Sequence, residues 1–261
     1  MSRIPIALEL YSVRNDLKED TAGTLKAVAE MGYEGVEFAG NPNNTAEELK
    51  GYLDDLGLPC CGWHTPYALV QDDTLESTIE FNKTLNNEFV IIPGLPGDLT
   101  QTRDDWLKIA DFFNALADKL AEHGMVTGYH NHSREFTPWD ESSDETAWDT
   151  LFGNTKDSVV MQLDTGNGLA GGGDAVGILN KYAGRSRTTH LKPFHAEKAK
   201  EDAHAGFRPI IGEDTTDWKA VFEACENVAG TEWYIVEYES DAFPPLEAVE
   251  RCLKALKDMG Q

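Results

Sequence analysis

The stretch Ile4-Pro5-Ile6-Ala7-Leu8-Glu9-Leu10-Tyr11-Ser12-Val13-Arg14 decides the fold. Its apolar first half reads as a β-strand, and a helical pattern follows over 21–31. A strand that feeds a helix opens either a doubly wound open sheet or a closed parallel barrel. The open sheet announces itself by a glycine-rich phosphate turn directly after its first strand. Here that turn reads Tyr11-Ser12-Val13-Arg14, without a glycine. The later Gly171-Gly172-Gly173 lacks the fingerprint spacing and reads as a loose helix start. A closed barrel is therefore expected.

The rest of the chain repeats the unit. Short apolar runs at 4–12, 35–39, 59–65, 88–94, 126–132, 159–165, 187–193 and 233–239 read as strands. Helical patterns fall between and after them, at 21–31, 45–56, 74–86, 104–123, 144–152, 174–182, 217–228 and 245–259. The fourth helix lines up Trp106, Ile109, Ala110, Phe113, Leu116, Ala117 and Leu120 at spacings of three and four, and Gly124 marks its end. The third shows Leu75, Ile79 and Phe81 on a polar background, and Asp144 and Asp217 stand where N-caps are expected. No linker or low-complexity run divides the sequence, so residues 1–261 read as one α/β domain, a single (β/α)8 barrel.

Composition bounds what such a barrel does. The 261 residues are 41% hydrophobic, ample for a full core. Lys+Arg number 22 against 46 Asp+Glu, a net charge of −24 that repels phosphate backbones and anionic membrane surfaces. Nucleic acid and membranes are thus excluded as partners. No apolar h-region follows the N-terminus and no run approaches a membrane span, so a cytoplasmic protein is expected. Cys60, Cys61, Cys225 and Cys252 form no CxxC pair and read as buried, reduced thiols.

Barrel chemistry sits at the C-terminal strand ends. Those ends carry Tyr11, Glu37, Trp63-His64, His130-Asn131-His132, Gln162-Leu163-Asp164, His190-Leu191-Lys192 and Glu237-Tyr238-Glu239. Asp164, His190 and Glu237 come from three successive strands and converge on one point. Two carboxylates and an imidazole suit one divalent ion, Mn, Mg, Co or Zn. Strand five offers His130 or His132 as a fourth ligand, because the two share a face. The competing reading is a metal-free cluster of hydrogen-bonded pairs.

At these residues the sequence resembles the sugar phosphate isomerase/epimerase-like family of xylose isomerase-type TIM barrels, which bind one divalent metal. The likeness spans essentially the whole chain. It rests on Leu8-Glu9-Leu10-Tyr11-Ser12-Val13-Arg14, Gly32-Tyr33-Glu34-Gly35-Val36-Glu37 and Gly128-Tyr129-His130-Asn131-His132 with Glu135-Phe136. Further on it rests on Leu163-Asp164-Thr165-Gly166-Asn167, Thr189-His190-Leu191-Lys192, 212–218 and Val236-Glu237. The resemblance implies His130, Asp164, His190 and Glu237 as metal ligands. It also shows two departures. A histidine stands on strand five where a glutamate is commonest, and Asp214 stands where glycine is usual. Glu135 is the candidate to reach back as the missing carboxylate.

The other strand-end residues divide between chemistry and packing. His64 reads as an acid/base or a structural histidine, and Lys192 as an oxyanion stabiliser or a salt-bridge partner. Glu37 reads as a contact to a sugar hydroxyl or a clamp on a neighbouring side chain, Glu239 as a substrate contact or a rim carboxylate, and Arg208 as a candidate contact to an anionic group of the substrate. Tyr11 and Trp63 offer flat faces to a sugar ring or to the core. The 137–144 loop, with Trp139, is a candidate lid or subunit contact in a homo-oligomer. His123, His195 and His204 read as bystanders.

A divalent ion that chelates a carbonyl and its neighbouring hydroxyl acidifies the α-proton. From the enediolate, proton return gives isomerisation or epimerisation of a ketose, inosose or keto-sugar, with Glu237 as base and ligand. Loss of a β-substituent gives dehydration, or cleavage of a 3-keto-glycoside. Isomerase or epimerase is the first expectation. The missing strand-five glutamate favours the lyase, which calls for a partner oxidoreductase that makes the keto group. A DNA-repair endonuclease of similar fold needs several metals and a basic groove, against the net charge. A non-catalytic barrel would scatter the ligand set. No arginine cluster or phosphate nest is visible, so a neutral sugar is expected.

Overall fold

Eight parallel strands close into a barrel: β1 (Ile6–Glu9), β2 (Gly35–Ala39), β3 (Cys60–His64), β4 (Phe89–Ile92), β5 (Val126–His130), β6 (Val160–Asp164), β7 (Thr188–Leu191) and β8 (Trp233–Val236). Each pairs with its successor, and β8 returns to pair with β1. The protein is a single (β/α)8 TIM barrel. The computed structural model describes residues 3–41, 43–140 and 142–261. The Met1-Ser2 start, on which the absence of a leader was read, and Glu141 of the 137–144 loop lie outside them.

The helices form where their caps and apolar stripes say they should. Thr45 and Thr102 close capping boxes with Glu48 and Asp105, and Asp217 accepts from Ala220 N–H. All seven apolar residues of the fourth stripe are buried along the helix Arg103–Ala121. Gly124 has a positive φ, and its N–H donates to the Ala121 carbonyl. One cap was misplaced. The helix Ala147–Asn154 starts after Thr146, which forms a capping box with Asp149, whereas Asp144 lies in the preceding hairpin. That hairpin pairs Pro138 with Thr146, and Trp139 turns inward to donate to Thr150. All four cysteines are buried and free.

A second correction matters for the site. β1 ends at Glu9, and Leu10–Val13 turn away as a 3-10 helix. The strand is three residues shorter at its far end than its hydrophobicity indicated. Glu9, not Tyr11, is therefore its last inward-facing residue.

Inside the barrel the N-terminal end is dry. Ala7, Cys61 and Ile235 make one apolar group, and Phe89, Ile91 and Val160 another. β3 carries an irregularity opposite Val36/Glu37, so Cys61 is an extra residue that restores the inward alternation to Gly62 and His64. On β5, a Cβ at Gly128 would collide with the Val160 carbonyl and lie 2.8 Å from Ile91 Cδ1. Gly128→Ala is therefore expected to destabilise the protein by about 1–3 kcal/mol. An unchanged denaturation midpoint would contradict this packing.

Candidate metal centre

Side chains face inward at every second strand residue. Above the apolar floor this aligns Glu9, Glu37, His64, His130, Gln162, Asp164, His190 and Glu237, all buried. The register sets Gln162 beside His130, His190 beside Asp164, and Glu237 just past the β7–β8 pairing.

His130, Asp164, His190 and Glu237 each contribute one donor atom, and these four atoms lie within 4.8 Å of one another. His130 Nε2 stands 3.8 Å from both Asp164 Oδ2 and Glu237 Oε2. That is too long for a hydrogen bond. It matches the spacing of roughly 3–4 Å between two donors that share one ion at about 2.1 Å.

A surrounding shell orients the donors. Gln162 Nε2 donates to Glu37 Oε1 at 2.9 Å and to Thr188 Oγ1 at 3.0 Å, so its Oε1 can only accept. It accepts from His130 Nδ1 at 3.0 Å and from His64 Nε2 at 2.6 Å. The His130 proton is thereby held on Nδ1, and the Nε2 lone pair faces the cluster. His190 Nε2 and Nδ1 stand 2.6 Å from Glu37 Oε2 and 2.7 Å from Glu237 Oε2, and although burial opposes it these two carboxylates hold the imidazole protonated, so an ion bound at Nδ1 would displace that proton. Asp164 caps the short helix Thr165–Ala170, accepting Asn167 N–H at 2.7 Å and the Asn167 amide at 3.0 Å. Asn131 ties the ends of β5 and β6 together through the Asp164 backbone.

The charges also fit a cation. Five carboxylates, Glu9, Glu37, Asp164, Glu237 and Glu239, gather here; Lys192 pairs with the last three, and Glu9 and Glu37 face His64 and His190. Burial, with Glu237 adding to it and Lys192 opposing, pushes Asp164 up to about 8. Burial and the Glu237 charge push Glu9 up to about 7. Burial disfavours the charged form of Glu237, yet Lys192 and His190 hold it well below the usual carboxylate range. Burial opposes protonation of His64, but Glu37 and Glu9 raise it to about 9. His130 is driven well down by burial and by its neighbouring imidazoles. A neutral imidazole and a surplus of carboxylate are what a divalent ion requires. A second grouping, His64, His130 and His190, has two of its rings already satisfied by Gln162.

The remaining candidates are placed as follows. Lys192 Nζ bonds Glu237 Oε1 at 2.7 Å and pairs with Glu239, forming a wall beside the cluster. Tyr11 is exposed at the cleft mouth with the Arg14 guanidinium 4.3 Å above its ring. His132 lines the same cleft beyond His130 but stays outside the four-donor group. Glu135 does not reach back. It accepts from Tyr129 OH at 2.8 Å and from His132 N–H at 3.0 Å, bracing the turn after β5. Arg208 is exposed, 3.6 Å from Asp202, on a neighbouring cleft of about 630 Å³. Trp63 belongs to the outer core, donating to Gly40 O and packing on Phe81. Asp214 binds Phe194 N–H, Thr216 and Trp218, so its departure from glycine shapes a loop.

Glu9 and Gln162 belong to this site and escaped the residue reading. Gln162 showed only as a strand-end amide, and nothing local reveals that it links two imidazoles to a carboxylate. Glu9 was hidden by the overlong first strand.

Residues 25–259 match the family described as xylose isomerase-like TIM barrel. An inosose dehydratase of Clostridium beijerinckii is 29% identical over 268 residues, covering 89% of this chain and 88% of that protein. One of Geobacillus thermodenitrificans is 31% identical over 150 residues, 54% of this chain and 49% of that protein. A sugar phosphate isomerase/epimerase structure from Parabacteroides distasonis superposes with a TM-score of 0.80 at 23% identity, over 98% of this chain and 94% of that one. At that identity the likeness speaks for the fold alone.

Proposed function

The chain belongs to the xylose isomerase-like TIM barrel family, and from that premise we propose that it is a metal-dependent lyase. It removes water from a neutral keto-cyclitol or keto-sugar. One observation carries the choice of elimination over the isomerisation or epimerisation first expected. The proton-handling groups that face the cleft are unlike. Glu237 is a carboxylate and His64 an imidazole, and β5 supplies His130 where a second carboxylate would complete a matched pair. Epimerisation asks two groups each to take and return a proton, whereas elimination asks for one base and one acid. Relatives named inosose dehydratase agree with that choice.

His130, Asp164, His190 and Glu237 would hold the ion, which supplies the Lewis acidity that acidifies a proton α to a carbonyl. Glu237 takes that proton. As the C–H bond gives way to a C=C bond, the β C–O bond breaks, and His64 gives its proton to the departing hydroxyl, which leaves as water. Burial opposes the charge on Lys192, but Glu237, Asp164 and Glu239 raise it far above the usual range, so it keeps its proton and fixes Glu237 through Oε1. The keto group must come from a prior oxidation of a ring hydroxyl. Among the described residues no helix is long and apolar enough to cross a membrane.

The test is to incubate Mn²⁺-loaded protein with 2-keto-myo-inositol, an inosose, in D₂O. A product lighter by one water is expected. A product of the same composition carrying carbon-bound deuterium would instead assign an isomerase or epimerase.

A further inference from the structure

Glu9 is 2% exposed, and its Oε2 has no hydrogen-bond partner. Its other oxygen stands 3.4 Å from His64 Nδ1. Leaving a buried carboxylate oxygen unmatched disfavours the folded state. Such a cost calls for an explanation, and a ligand that completes the bonding supplies one. Glu9 lines the cleft of about 480 Å³ that opens over His64, His130 and Glu237. The mouth of that cleft is walled by Tyr67 and Pro66, flat faces suited to a ring, and by Tyr11, one face of which carries the Arg14 guanidinium. Among the described residues no lysine or arginine lines it. An anionic group there would be repelled by Glu9, Glu237 and Glu239, whereas a hydroxyl can donate to the free oxygen.

We propose that Glu9 determines specificity: its unmatched Oε2 accepts a hydrogen bond from a substrate hydroxyl outside the chelated carbonyl–hydroxyl pair, selecting a neutral polyhydroxylated ring over a deoxy or phosphorylated one. This rests on the keto-cyclitol reading above. Glu9 acts beside the chemistry, next to His64, and takes no part in the metal cluster.

The experiment titrates Mn²⁺-loaded wild type, Glu9→Leu and Glu9→Gln with two probes. One is 2-keto-myo-inositol. The other is 2-hydroxycyclohexanone, which keeps the carbonyl and its neighbouring hydroxyl and carries no further hydroxyl. Glu9→Leu is expected to bind 2-keto-myo-inositol about 10–100-fold more weakly, the cost of leaving the substrate hydroxyl unmatched in a buried site. Its affinity for 2-hydroxycyclohexanone stays within a few-fold of wild type, and Glu9→Gln recovers most of the loss. Glu9→Leu also melts no lower than wild type, because a buried unmatched oxygen has been removed. A merely structural Glu9 would give the opposite melting result.

Undiminished binding of 2-keto-myo-inositol by Glu9→Leu would overturn the assignment. Equal loss of both probes together with a lower melting temperature would also overturn it, in favour of a supporting role for His64. A wild type that binds neither probe would overturn the keto-cyclitol reading itself, and this inference with it.

Discussion

Glu237→Gln is expected to lower turnover at saturating Mn²⁺ by about 10³-fold or more, at the upper end of what one acid–base group supplies and with a ligand lost besides. Glutamine keeps the size and one acceptor oxygen, so Lys192, 2.7 Å from Oε1, retains a partner there and in Glu239. The amide cannot accept the substrate proton. The expected signature is a fall in kcat with a much smaller change in KM, measured on protein whose melting curve stays cooperative. Equal falls in affinity and turnover would place Glu237 in binding rather than proton transfer.

Asp164→Asn and His190→Ala carry the other large effect. Asparagine caps a helix as well as aspartate does, so the helix Thr165–Ala170 survives while the anionic donor is lost. His190→Ala removes a donor and also leaves Glu37 without its 2.6 Å partner. Both variants are expected to lose more divalent-ion affinity than the roughly 10–100-fold that removal of an outer partner costs. Glu37→Gln supplies that outer-shell reference. Isothermal titration with Mn²⁺ ranks the three. A Glu37→Gln loss equal to that of Asp164→Asn would mean that the cluster boundary is drawn in the wrong place.

Much of this molecule was legible before its coordinates. A seven-residue stripe such as Trp106–Leu120 repeats every three or four residues, and that periodicity depends on nothing distant. The strand ends of β5 to β8 were legible for a similar reason. Ligand-type side chains at the ends of four successive strands must face one another once the barrel closes. Three features were not legible, each because it is settled by contacts remote in sequence. Hydrophobicity carried the first strand on to Ser12, but Tyr11 and Ser12 belong to a 3-10 turn whose Ser12 hydroxyl accepts from the Tyr238 N–H. Glu135 sits close enough in sequence to reach the cluster, yet a buried Tyr129 hydroxyl claims it. Gln162 looked unremarkable until Glu37, from four strands away, fixed which end of its amide points where. Residue types thus indicated where the chemistry sits, and hydrogen-bond partners across the barrel decide which atom does what.

The account stands most directly on the metal content of the purified wild-type protein, measured by inductively coupled plasma mass spectrometry before and after chelator treatment and Mn²⁺ add-back. It predicts about one divalent ion per chain, removed by chelator together with activity and restored by Mn²⁺. A wild type that carries no ion and takes up none of Mn²⁺, Co²⁺ or Zn²⁺ would contradict it, and His130, Asp164, His190 and Glu237 would then be a hydrogen-bonded pocket rather than a metal centre.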